Sequence, residues 1–122
     1  MDTVAIATDL PVPVPVAGHH KPAPFYLTPD MFGGLPLSLA GGELSELVGK
    51  PVAEPHTHDV PEIYFLVSPT PGSARIAVTV DGTDYELASP ACLYVPAGAV
   101  HQFLTLEAER GSYCFGLLLE QR

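Results

Sequence analysis

The stretch Glu54–Ser68, EPHTHDVPEIYFLVS, places His56, His58 and Glu62 within seven residues. A shorter segment downstream, Tyr94–Phe103, YVPAGAVHQF, adds His101 after the turn formers Pro96-Ala97-Gly98. In a strand, residues two apart project to the same face, so His56 and His58 are expected to point together. Glu62 has the same parity, although Pro61 breaks a regular ladder and favours a bend before the next strand. His101 is 39 residues beyond Glu62 and must arrive from a second strand across the interior. Three imidazoles and one carboxylate form a ligand set for a divalent transition metal, and a six-coordinate ion would keep two positions open.

The rest of the chain reads as a small β-scaffold around these segments. Its 122 residues are 47% hydrophobic and 16% charged, with 14 prolines and 11 glycines. One domain of this size buries roughly two-thirds of its unfolded surface, and dense turn formers with high apolar content suit many short strands. The formal net charge is −9, with only Lys21, Lys50, Arg75, Arg110 and Arg122 opposing 14 acids. That balance gives no electrostatic footprint for nucleic acid and would be repelled by an anionic membrane. No apolar run approaches the ~20 residues of a membrane span. The start, MDTVAIATDL, lacks a basic segment before an apolar one, which points to a cytoplasmic protein. Cys92 and Cys114 have no CxxC spacing and sit in strand-like runs, so buried free thiols are expected.

Residues 1–24 read as an extended N-terminal arm and residues 25–122 as the barrel domain. Leu10–Ala17, LPVPVPVA, alternates proline with valine, which disfavours ladder hydrogen bonds and favours a polyproline-like arm along the barrel or across a subunit boundary. His19 and His20, adjacent in that arm, are read as solvated surface. Short strands are expected at Leu35–Leu39 and Glu43–Val48, with a helical turn after Pro29-Asp30 as an option. Strands are expected at Glu62–Ser68, Ala74–Val80, Thr83–Leu87, Cys92–Val95, Val100–Leu106 and Ser112–Leu119. Asp81-Gly82 between two of them is a strong hairpin signal, and strands at this spacing indicate a sandwich or jelly roll.

These residues resemble the cupins. The first motif of that superfamily, a glycine, then H-x-H, a glutamate four residues later and a further glycine, is similar to Gly49, His56, His58, Glu62 and Gly72. The second, P-x-G-x-x-H, matches Pro96, Gly98 and His101. The likeness spans Gly49–Leu106, with Pro90 and Ala91 where the second motif usually begins and Thr105 where it usually carries asparagine. It implies an all-β double-stranded β-helix, a cupin jelly-roll barrel, with one divalent metal ion (Fe, Zn, Mn or Ni) held inside by His56, His58, Glu62 and His101.

Tyr64, Phe103 and Thr105 share strand parity with the ligands and are read either as cavity lining or as ordinary core. Arg75 is the candidate anchor for a substrate carboxylate, because cations are so few. Tyr26 and Tyr94 are weaker candidates, and Asp59 and Glu54 flank the histidines as potential orienting groups. The functional expectation is a metal-dependent enzyme acting on a small molecule, in one of two modes. Iron would support dioxygenase-type chemistry, and zinc, manganese or nickel would act as a Lewis acid in isomerisation or cyclisation. The histidine stretch is also similar to stand-alone cupins of secondary metabolism, including polyketide-cyclase types. The alternative is a binding or sensing module, or a partner subunit with a structural metal. A homodimer with the arm near its interface is expected.

Overall fold

The structure, a computed structural model, describes residues 2–120. Nine strands follow in order: β1 Val12–Val14, β2 Ala23–Leu27, β3 Leu37–Glu43, β4 Glu62–Val67, β5 Ala74–Val80, β6 Thr83–Ala88, β7 Ala91–Val95, β8 His101–Ala108 and β9 Tyr113–Leu119. A single 3-10 turn, Met31–Gly33, is the only helical element among the described residues. Among the described residues no helix is long and apolar enough to cross a membrane. The strands form two antiparallel sheets, one of order β1-β2-β3-β9-β4-β7 and one of order β6-β5-β8. Between them they make the expected jelly roll.

The alternation of side chains explains the layering. On β5, Ala74, Ile76 and Val78 are fully buried, while Arg75 and Thr79 point away. On β4, Glu62, Tyr64 and Leu66 face inward, and Phe65 and Val67 face out. With Leu44, Val95, Ala99 and Cys114 the apolar members of this inward set form one continuous core. The Asp81-Gly82 turn has positive φ at both residues, 48° and 83°, the geometry of the tight hairpin turn whose twist matches the flanking strands. Asp81 does more than turn the chain. Its carboxylate accepts the Val100 N–H at 2.9 Å and its own N–H donates to Val100 O at 2.8 Å, fixing the entry to β8.

Several expectations need correction. The arm is not free of ladders: β1 pairs with β2, with Pro13 opposite Pro24 between the pairs Val12–Phe25 and Val14–Ala23. Alternation lets this work, because both prolines occupy one non-hydrogen-bonded pair and the valines do the bonding. A boundary after residue 24 therefore cuts through β2. Gly41-Gly42 is strand rather than breaker, and β3 replaces the two short strands expected around it. Any side chain at Gly41 would collide with the backbone of Cys114 and Phe115 on β9, so close pairing of β3 with β9 requires glycine there. Beyond Glu43 the chain turns instead of continuing, because the Glu43 carboxylate accepts hydrogen bonds from Ser45 N (2.9 Å) and Ser45 Oγ (2.7 Å). Cys92 is exposed and Cys114 buried. They oppose Phe65 and Leu66 respectively on β4, hence opposite faces of the sheet, and both are free thiols.

Candidate metal centre

His56 and His58 do not lie on a regular strand. They sit in an extended segment, Pro51–Pro61, suspended by isolated backbone bridges. His56 and His101 form one such bridge, exchanging N–H···O bonds of 3.0 and 2.9 Å in both directions. That direct pairing brings a histidine from each motif side by side. The His58 carbonyl accepts the N–H of Gly98 at 2.8 Å, and Gly98 adopts φ of 82°, a conformation natural only to glycine. The Pro96-Ala97-Gly98 turn thus clamps the first motif to the second. Glu62 opens β4, a strand paired on both sides, and points into the barrel.

The three imidazoles converge: one ring nitrogen from each of His56, His58 and His101 lies within 4.8 Å of the others. His56 and His101 ring centroids are 4.5 Å apart, and those of His56 and His58 4.8 Å. Glu62 Oε1 completes the group, 2.9 Å from His101 Nε2 and 3.6 Å from His58 Nε2. Two of the other ring nitrogens have backbone partners. His56 Nδ1 lies 2.8 Å from Glu54 O, and His101 Nδ1 lies 2.9 Å from Ala99 O. Backbone carbonyls at these atoms hold the proton on Nδ1 and turn Nε2 inward, the outer contact that metal-ligating histidines ordinarily make; without a metal His101 Nε2 donates to Glu62 Oε1, and a bound ion would take the place of that proton. The donor set and its outer contacts fit a transition metal.

Electrostatics support the same reading. Burial alone would lower the pKa of His101, but the Glu62 hydrogen bond, the Ala99 carbonyl and the Glu62 charge outweigh it and raise the value above the ordinary 6.5. His58 shifts the other way, lowered first by burial, with Glu62 opposing and the neighbouring imidazoles adding to the effect. A buried carboxylate is tolerable only with such partners. Glu62 also needs room. A Cβ at Gly116 on β9 would press directly on its Oε2, so the glycine leaves the space in which the carboxylate lies.

A cavity of about 540 Å³ opens onto this cluster. His56 and Glu62 line it, with Tyr64, Phe103, Leu44 and Cys114 forming part of its inner wall. Burial and the Glu62 charge push the Tyr64 hydroxyl far above its ordinary range, so it stays protonated. Burial likewise pushes the Cys114 thiol up to about 12.

No family model matches the sequence, and no curated protein matches it. Solved structures do. The chain superposes on a cupin 2 conserved barrel domain protein from Salinispora arenicola with a TM-score of 0.60 at 16% identity, covering 81% of this chain and 75% of that one. For a cupin protein from Bacteroides fragilis the TM-score is 0.59 at 15% identity, with coverage of 93% and 86%. The chain has the cupin fold. A third structure of this fold, FeII HppE, matches with a TM-score of 0.53 at 15% identity, covering 69% of this chain and 43% of that one.

In this cupin fold the four residues expected as ligands, His56, His58, Glu62 and His101, stand together. Tyr64 and Phe103 line the cavity as well as packing in the core. Thr105 does not line it. Its side chain is fully buried, with no hydrogen-bond partner for Oγ1, and its carbonyl accepts the N–H of Gly49 at 2.9 Å. Arg75 is a correction too: it lies on the outward side of β5, bridging Glu86 and Glu107, because its strand parity opposes that of buried Ile76. Tyr26 and Tyr94 also lie outside the cavity lining.

Two contributors escaped the sequence reading. Gly116 had one signal, a glycine inside an apolar strand, which often marks a close approach. His19 had been set aside as surface, yet its ring centroid is 5.1 Å from that of His56. The arm brings it there: the N–H of His20 donates to Val52 O at 3.2 Å, and that of Glu54 to Gly18 O at 2.8 Å. Burial, then the neighbouring His56 and His58, lower the pKa of His19, leaving a neutral imidazole above the cluster at pH 7.

Proposed function

We propose that this chain is a metal-dependent enzyme acting on a small organic molecule held in the barrel cavity. The observation that carries the reading is the coincidence of a convergent His56, His58, His101 and Glu62 set with an adjoining cavity of about 540 Å³, a volume suited to a small-molecule ligand. The four residues would hold one divalent ion. Such an ion, when bound, supplies either a site for oxygen and a chelating substrate or Lewis-acid polarisation of a carbonyl. The iron(II) form of the structural neighbour HppE favours iron as the first ion to try.

The chain's own residues perform the remaining tasks. Carbonyls Glu54 O and Ala99 O keep the His56 and His101 rings in one tautomer and orientation. Glu62 places negative charge inside the barrel, balancing part of a bound cation's charge. The Tyr64 hydroxyl, protonated at all physiological pH values, serves as a hydrogen-bond donor and never as a base. His19 stands above His56 with a neutral ring able to accept a proton from a bound molecule. Ala23, Leu44, Leu47 and Phe103 line the approach and exclude water. The test is oxygen consumption and product formation by iron-loaded protein against a panel of chelating small molecules, with zinc- and manganese-loaded protein assayed for isomerisation. No turnover with any metal, alongside tight ligand binding, would favour a binding module instead.

We also propose a homodimer through the outward face of the larger sheet. There Ile63 pairs with Leu117, Phe65 with Phe115 and Val67 with Tyr113, an uncharged ladder, and Phe65 and Val67 remain 40% and 43% exposed. Two copies each carrying a net charge of −9 meet most favourably over this uncharged ladder, which Glu43 flanks at its edge opposite Tyr113. A monomeric mass by light scattering at micromolar concentration overturns it.

A further inference from the structure

The chain has five Lys and Arg residues, and two of them, Lys21 and Lys50, line the rim of the cavity that opens onto the histidine cluster. Backbone pairing brings them there. Residues 18–20 of the arm hydrogen-bond to residues 52–54, so the segment ending at Lys21 and the segment beginning at Lys50 form a single lip. Both lysines are exposed, and neither has an acidic partner within ion-pair distance among the described residues. The acids near the cavity have other neighbours than the lysines. Glu43 is held by Ser45 and by Gly111 N at 2.8 Å, Glu54 lies 3.9 Å from His20 Nε2, and Glu62 is bound to His101. Between rim and cluster the walls are apolar, from Ala23, Ala40, Leu44, Leu47, Val52 and Phe103.

From this arrangement we infer that the cavity takes an organic acid: an apolar body inside the barrel, a carboxylate at the rim between Lys21 and Lys50, and the reacting end at His56 and Glu62. The inference rests on the cavity being the substrate site of the proposed function. An ammonium pair with no partner is a poor feature for a neutral ligand and a good one for a single anionic group. The buried Glu62 carboxylate at the inner end sets the direction, since it disfavours an anion entering first.

The test uses octanoate and the neutral octan-1-ol as probes, titrated calorimetrically into the full chain after chelator treatment and again after zinc loading. Metal-free protein is expected to bind octanoate about tenfold more tightly than octanol, the sum of two partly exposed ion pairs, with the preference shrinking at high salt. In Lys21→Gln/Lys50→Gln the preference disappears while octanol affinity is unchanged. Equal binding of the two probes, binding of neither, or a preference that survives the double substitution overturns the inference. A preference that arises only on zinc loading and survives the substitution also overturns it, placing the carboxylate on the metal and leaving the metal-dependent reading intact.

Discussion

Gly116→Ala should separate the metal centre from the fold. Gly116 lies in β9 away from the positive-φ region, so alanine meets no backbone strain. Its added carbon would stand 3.3 Å from Glu62 Cδ and 3.8 Å from Cγ, and closer still to Oε2. Carbon contacts relax toward ~3.5–4.0 Å, so the carboxylate must swing by on the order of 1 Å. That motion loosens the 2.9 Å contact with His101 Nε2 and moves one of four ligands. Metal affinity should fall about 10- to 100-fold, the range seen when groups supporting a ligand are disturbed. Stability should change little. A weakened hydrogen bond costs about 1 kcal/mol, and the reduced freedom of alanine in the unfolded chain returns roughly 0.4–1 kcal/mol. Competition with a chromophoric chelator measures the affinity, and the urea midpoint of the metal-free protein measures the fold. Unchanged metal affinity, or loss of the fold along with it, would refute the reasoning.

Other perturbations follow from the same geometry. In metal-free Glu62→Gln, the pKa of His101 should fall, because burial is then opposed only by the Ala99 carbonyl and the Asp81 charge; NMR titration of the His101 ring reads this directly, and an unchanged value would contradict it. In the metal-free wild type, the His101–Glu62 pair stabilises the fold fully below pH ~6.5 and loses that contribution as pH rises through the elevated pKa of His101. His58 acts with the opposite sign, since its lowered pKa makes stability rise with pH up to ~6.5. His101→Ala leaves the Glu62 carboxylate buried without its closest partner and should cost roughly 1–3 kcal/mol in thermal or urea unfolding. Native protein diluted to monomer should react with one equivalent of a thiol reagent, at exposed Cys92, and with two only after unfolding releases Cys114; two fast equivalents in the folded monomer would count against the packing described.

The cluster of histidines and Glu62 was legible in the sequence because its residues are chemically rare and closely spaced. His56, His58 and Glu62 fall within seven residues, although the first two sit off any regular strand, and the turn before His101 announces a second strand. The Asp81-Gly82 hairpin was legible for a similar reason, as its positive φ values restrict the residues that fit. What could not be read depends on contacts between distant segments. Gly41-Gly42 resembles a loop until β9 is placed against it, and only Glu62 explains why Gly116 carries no side chain. His19 looked like surface because nothing local reveals that Gly18–His20 pairs with Val52–Glu54. Arg75 looked available for a ligand until β6 and β8 brought Glu86 and Glu107 to its two sides.

Metal content of the protein purified anaerobically without a histidine tag, beside His56→Ala/His58→Ala, tests the central claim most directly. About one equivalent of a divalent transition metal per wild-type chain, lost in the double variant while the circular dichroism of the sheets persists, is the expected result. Wild-type protein that neither retains nor takes up a metal, or a double variant that holds it as well as the wild type, would contradict the assignment of the centre.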